Sequence, residues 1–100
     1  MAEVIWTEPA LQALDATAEY IALDNPAAAS HLVQEIFDKV KRLEVFPQSG
    51  RIPPELPESV YREIVVPPCR IFYREDEARA LVLYVMREEQ QLRAYMLGRR

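Results

Sequence analysis

Apolar residues recur along this chain with two different periods, and the change of period divides it. Glu3 to Trp6 alternates Glu3 and Ile5 against Val4 and Trp6, the two-residue period of a short strand. From Thr7 the period lengthens: Leu11, Leu14, Ala18 and Ile21 recur at helical spacing, with Gln12, Asp15 and Glu19 on the other side. Thr7 is a suitable N-cap, and Glu8 and Pro9 suit a first turn, where negative charge meets the helix dipole and a missing N–H costs nothing. This helix is expected to end at about Asp24. Asn25-Pro26 then restarts the chain as N-cap and first helical residue. Ala29, Leu32, Val33, Ile36, Val40 and Leu43 form the stripe of a second, longer helix that ends near Phe46-Pro47. So short a linker between two amphipathic helices predicts an antiparallel αα-hairpin.

Gln48 to Ser59 contains Gly50, Pro53, Pro54 and Pro57 and reads as a loop. From Val60 to Arg87 the sequence is VYREIVVPPCRIFYREDEARALVLYVMR, three runs rich in β-branched and aromatic residues. The breakers Pro67-Pro68 and Glu75-Asp76-Glu77 separate them, which predicts a three-stranded meander. Ala80 to Met86 is apolar throughout and belongs inside a sheet with a helix layer on at least one side. In the two earlier runs, Arg62, Arg70 and Arg74 alternate with apolar residues, and their polar face is expected to look outward. Proline fixes φ near about −65°, whereas two-residue hairpin loops favour positive φ, so a wider turn is expected at Pro67-Pro68. Leu92, Tyr95 and Met96 suggest a short helix between Glu88 and Leu97, or an extended tail, with Gly98 as its stop.

One hundred residues, half of them apolar and only two glycine, suit one α+β domain over residues 1–100. Cys69 is the single cysteine, which favours a reducing compartment and removes any cysteine-based zinc site. The opening MAEVIWTE lacks the features of a secretory signal, and no run approaches the ~18 apolar residues of a membrane span. A cytoplasmic protein without membrane attachment is the expectation. Net charge is −4, with the acidic excess in residues 1–50 and ten of the twelve basic residues arginine. That balance argues against sequence-specific DNA binding by the chain alone and leaves room for a local arginine patch.

The order and spacing of several segments is similar to the RelE/ParE superfamily of toxins from type II toxin–antitoxin systems. They are IWTEPA with Leu11 and Leu14, YIALDNPAAA (Tyr20 to Ala29), RLEVFPQSGR (Arg42 to Arg51), YREIVVPPCRIFYR (Tyr61 to Arg74) and VLYVMR. The resemblance covers almost the whole length, and the IWTEPA and DNPAAA segments look more like the ParE branch. It implies a two-layer β-α-α-β-β-β fold, with the helical hairpin over an antiparallel sheet that the first strand joins. Two mechanisms occur in the superfamily. RelE-like members cut mRNA on the ribosome without metal, and ParE-like members bind and poison DNA gyrase. A cognate antitoxin, ParD-like or similar and expected to be a ribbon-helix-helix protein, is the implied partner.

Metal-free RNA cleavage needs a base for the 2′-OH proton, an acid for the leaving oxygen and cations for the phosphate. In RelE-like nucleases these come from lysines before the sheet, arginines on the first and last meander strands, and a C-terminal tyrosine. Arg62, Arg87 and Tyr95 are the matching candidates here, and the loop offers Arg51 but no lysine. Arginine stays charged at ordinary pH and is a poor proton acceptor. Arg87 in Val85-Met86-Arg87 stands where many relatives have histidine. His31, the one histidine, falls on the polar side of the second helix; Cys69 reads as a buried, inert thiol, and Trp6 and Tyr20 as core and core-edge aromatics. Glu75-Asp76-Glu77 reads as an acidic turn rather than a metal site.

Strand parity places Arg70 and Arg74 on one face of the middle meander strand, with Arg87 and Arg93 just past the last one. These four are the candidate target-binding residues. Pairing with Glu63, Glu75, Glu88 or Glu89, with their stems covering the sheet, is the structural alternative. The expectation is a ParE-like gyrase inhibitor without cofactor or metal. A ribosome-dependent mRNA endonuclease is the alternative, and a non-toxic, complex-forming relative the third.

Overall fold

A computed structural model describes residues 1–98, and its elements run β1 (Glu3–Trp6), α1 (Glu8–Ala22), α2 (Pro26–Lys41), β2 (Tyr61–Val66), β3 (Cys69–Asp76) and β4 (Arg79–Arg87). Short 3₁₀ turns follow at Arg42–Glu44 and Ala94–Leu97. Both helices begin where their capping residues predict. The Thr7 hydroxyl accepts the Ala10 N–H at 3.4 Å and donates to the Val82 carbonyl at 2.7 Å, so one side chain caps α1 and ties it to β4. Asn25 Oδ1 accepts the Ala28 N–H at 3.1 Å and starts α2.

The sheet order is β1-β4-β3-β2, antiparallel except that β1 lies parallel to β4, with Val4 beside Ala80 and Trp6 beside Val82. A parallel neighbour requires a crossover, and the αα-hairpin is that crossover. Its inner stripe (Ala10, Leu14, Leu32, Ile36, Val40) packs with Leu43 on Ile71, Tyr73, Val82 and Val85 to form the main core. Each large side chain buried there contributes about 1.5–3 kcal/mol of transfer free energy.

The opposite face of the sheet differs from expectation. It does not look outward: Phe72 and Met86 are buried there beneath Leu92 and Leu97 of the C-terminal segment, with Leu56 and Tyr61 alongside. The loop and the tail act as a thin second cover, so β3 is buried on both faces from Cys69 to Tyr73. A bulge where Tyr84 opposes Phe72 and Val82 opposes Tyr73 leaves Leu83 as the extra residue of β4. Both Leu83 and Tyr84 pack against this second cluster.

One further expectation is corrected, and the choice between helix and tail at the C-terminal end is decided. Val66 pairs directly with Cys69, so Pro67-Pro68 forms a two-residue turn, and the bond between the prolines is cis. A cis-proline at the third position of a turn brings the chain round without positive φ. The tail is not an α-helix: Glu88 to Gln91 turns back on β4, and only Ala94–Leu97 is helical, as one 3₁₀ turn. Two apolar anchors, Leu92 and Leu97, hold it down, and they lie five residues apart rather than in an i, i+4 stripe. Residues 99 and 100 of the expected tail lie outside the described residues.

Tyr73 pins the loop that leaves α2. Its hydroxyl accepts the Gly50 N–H at 2.9 Å and donates to the Pro47 carbonyl at 2.9 Å. A Cβ on Gly50 would stand 2.6 Å from the Tyr73 ring and 2.8 Å from the Glu63 carbonyl oxygen. The ring is buried and the carbonyl is backbone, so neither gives way cheaply. Gly50→Ala is therefore expected to destabilise the fold by roughly 1–3 kcal/mol, read as a lowered midpoint in urea or thermal unfolding.

Candidate functional site

The six arginine and tyrosine candidates do not form one site. Arg62, on the edge strand β2, turns its guanidinium back to the Gly50 carbonyl at 2.8 Å and helps hold the 47–51 loop. Arg87, at the end of β4, lies with its guanidinium carbon 3.9 Å over the ring of Tyr20. In register Arg62 faces Tyr73 and Arg87 faces Cys69, four residues earlier on β3. The two are separated by roughly 13 Å along the strands and two inter-strand spacings across them. Tyr95 is 78% exposed in the 3₁₀ turn beyond. An arginine pair and a tyrosine set for one scissile phosphate would have to converge, and these are spread over two ends of the sheet.

Arg70 is not on an outward patch. It is buried, donates from Nε to Glu63 at 2.6 Å, and presents its two terminal nitrogens to the two oxygens of Glu55, each at 2.7 Å. Its guanidinium also lies 4.9 Å over Phe72. These carboxylates, Glu55 first, raise its pKa further. Glu63 has no exposed side-chain surface, and its second oxygen accepts from Arg51 at 2.6 Å. The sequence alternative of Arg70 paired with Glu63 is the arrangement found, with Glu55 completing a fork that sequence spacing does not reveal. Arg74 shares the Arg70 face, as parity predicts, opposite Tyr61 and Leu81, and is half-buried.

What remains accessible is at the tail. Arg93 is exposed and donates to Gln91 Oε1 at 3.1 Å. Arg87 pairs with Glu89 at 2.6 Å, which raises the arginine pKa and lowers that of the carboxylate. Its backbone N–H donates to Gln90 Oε1 at 2.9 Å, closing the turn after β4. Tyr20, expected at the core edge, is 55% exposed and forms the platform beneath Arg87. Nothing in the local sequence joins Tyr20 to Arg87, because the parallel β1–β4 pairing that seats α1 beside β4 creates their meeting. Beside Tyr20, a hollow of about 680 Å³ is lined by Ile21, Leu23, Asp24, Asn25 and Ala28 at the tip of the hairpin. Leu23 is 87% exposed there.

The other candidate chemistry sits where the sequence suggests. His31 is exposed on α2. Cys69 is fully buried, and burial pushes its thiol up to about 11, which leaves it protonated and unreactive at neutral pH. Asp76 pairs with Arg79 at 3.0 Å across the β3–β4 turn, where Glu77 has a positive φ of 59°. Among the described residues no three His, Cys, Asp or Glu side chains gather as a metal-binding group.

The buried ion network generates a stability prediction. Arg70→Ala leaves the buried Glu63 carboxylate with Arg51 as its one cation and is expected to cost ~3 kcal/mol, the low end for breaking a buried pair, whereas Arg70→Met with Glu63→Leu recovers much of that loss. Its acid limb is also defined. Hydrogen bonding to Arg70 holds Glu55 below its ordinary value of 4.5. A depressed carboxylate contributes stability that is present above its unfolded pKa and is lost as pH falls through the folded one. The melting temperature of the wild type should therefore fall more steeply below about pH 4.5 than that of Glu55→Gln, in parallel thermal melts.

Comparison with known proteins agrees with this architecture. No curated protein sequence matches the chain significantly. Among solved structures, the chromosomal ParDE TA system from P. aeruginosa matches at 30% identity and a TM-score of 0.71, over 87% of this chain and 96% of that one. The family model described as ParE toxin of type II toxin-antitoxin system, parDE, matches residues 4–92. The first strand from its second residue, the helical hairpin, the meander and the first part of the tail fall inside that span, and the chain belongs to the ParE toxin family.

Proposed function

We propose that this chain is a cytoplasmic toxin that acts by binding DNA gyrase, and that an antitoxin of the ParD kind holds it silent. The observation that carries the choice of target is the division among the arginines. Those in the sheet, Arg62 and Arg70, are spent internally on the Gly50 carbonyl and on Glu55 and Glu63. Those at the end of β4 and beyond it are less enclosed: Arg87 is partly exposed, and Arg93 and Tyr95 are exposed. A binding protein needs charged and aromatic groups held on a rigid support, and Arg87 is held by Tyr20 below and Glu89 beside it. An RNA-cutting site also needs a proton acceptor beside its cations, and the one histidine is on the outer side of α2.

Antitoxin binding is supported by the ParDE system with which the chain shares its fold, and by apolar surface along the helical hairpin. Leu11, Tyr20, Leu23 and Phe37 are all exposed there. A surface of this kind suits a helix laid along the hairpin.

Expression of the chain alone is expected to arrest growth with signs of DNA damage. Purified protein should inhibit gyrase supercoiling and trap cleaved DNA while leaving ribosome-bound mRNA intact. The Arg87→Ala/Arg93→Ala double variant should lose inhibition, because removing a charged group from a desolvated interface costs ~2–5 kcal/mol of binding. Its stability should fall by no more than about 2 kcal/mol, the scale of a partly desolvated cation–π pair. Full inhibition by that variant, with codon-specific mRNA cuts abolished by Arg62→Ala, would reverse the assignment in favour of the endonuclease.

A further inference from the structure

Arg70 and Arg87 are held alike in two respects. Each guanidinium lies over an aromatic ring, Arg70 at 4.9 Å from the centre of Phe72 and Arg87 at 3.9 Å from that of Tyr20. Each donates from Nε to a glutamate at 2.6 Å, Glu63 for Arg70 and Glu89 for Arg87. They differ at the remaining edge. The two terminal nitrogens of Arg70 meet both oxygens of Glu55, each at 2.7 Å. Those of Arg87 donate to no group among the described residues. No buried side-chain nitrogen is left unbonded there, so both terminal nitrogens of Arg87 reach solvent.

The groups that hold Arg87 are themselves tied down. Tyr20 is in the last turns of α1. Glu89 lies in a turn closed by the Arg87 N–H to Gln90 Oε1 at 2.9 Å and by the Glu88 N–H to the Pro68 carbonyl at 2.8 Å. The ring beneath and the carboxylate at Nε fix the guanidinium at two points, so its end-on pair of donors is aimed before anything binds.

We propose, resting on the gyrase-binding reading above, that Tyr20 and Glu89 preset Arg87 as a two-pronged donor for one carboxylate of the target protein. Arg70 displays the completed arrangement: one arginine, one ring and two carboxylates, the second taken end-on by both terminal nitrogens. Tyr20 acts through Arg87 and is a positioning residue. Lysine is no substitute at 87, because an ammonium is a point charge without a paired, planar set of donors. A phosphodiester also offers two oxygens. DNA, however, brings a row of phosphates, which would run against the exposed Glu88 and Glu89 and against Asp24 beside Tyr20. A single acidic side chain needs only the guanidinium edge.

The test uses the purified chain and gyrase, with supercoiling inhibition and binding measured with and without duplex DNA. Arg87→Lys and Tyr20→Leu are each expected to raise the half-inhibiting concentration by roughly tenfold or more. Tyr20→Phe, which keeps the ring face, should recover most of that loss. Thermal melts confirm that each variant is folded. A nitrogen–proton NMR spectrum reads the positioning directly: the Arg87 Nε–H signal, shifted by the ring in the wild type, should move in Tyr20→Leu and hold in Tyr20→Phe. The wild type should bind gyrase without DNA. At raised concentration, a carbodiimide should join the amine introduced by Arg87→Lys to an Asp or Glu of gyrase, which mass spectrometry then identifies. Full inhibition by folded Arg87→Ala would remove the target-binding reading at this residue and the proposal with it. Inhibition lost in Arg87→Ala but kept in Arg87→Lys or Tyr20→Leu would leave that reading standing and overturn the proposal. Binding that requires DNA would also overturn it, by assigning Arg87 to a phosphate.

Discussion

The carboxylate of Glu63 has no exposed surface and shares its two oxygens between Arg51 and Arg70 at 2.6 Å each. Through Arg51 it fixes the start of the long loop, and through Arg70, which also holds Glu55, it draws the middle of that loop onto β3. Burying these charges is costly, and mutual pairing returns the cost only when every partner is in place. Among the described residues no buried side-chain polar atom is left without a hydrogen bond. The outer face of the sheet thus closes as one unit: ions near β2, and Phe72, Met86, Leu92 and Leu97 beside them.

This arrangement divides labour among the arginines. In the loop and on the outer face, arginine serves the fold. Where β4 runs out past the hairpin, Arg87 settles on Tyr20 while Arg93 and Tyr95 stay accessible. An arginine of this chain can thus be bound internally or left partly exposed according to the face of the sheet it occupies, for Arg70 and Arg87 lie one register step apart at the same end of β3 and β4. Arg70 and Arg87 make the contrast directly. Both are in strands and both pair with glutamate, yet one is buried with two carboxylates and the other sits partly exposed over a ring.

Local physics alone places most of the elements. Thr7-Glu8-Pro9 and Asn25-Pro26 start their helices because capping oxygens and proline act within one turn, and the structure begins both helices there. The apolar stripes of α1 and α2, the three meander strands and the buried state of Cys69 follow from periodicity and composition, which are properties of neighbouring residues. Even the shared face of Arg70 and Arg74 needs only strand parity, since the bulge extends β4 and leaves β3 in step. What needed the tertiary structure depends on residues far apart in sequence. The second cover over Phe72 requires Leu56 and Leu97 to meet, and the burial of Arg70 requires Glu55 to reach across fifteen positions. Tyr20 and Arg87 come together only because β1 pairs in parallel with β4. The sequence marks where charge and apolar surface are available; long-range packing decides which arginines are neutralised in the interior and which remain to bind something else.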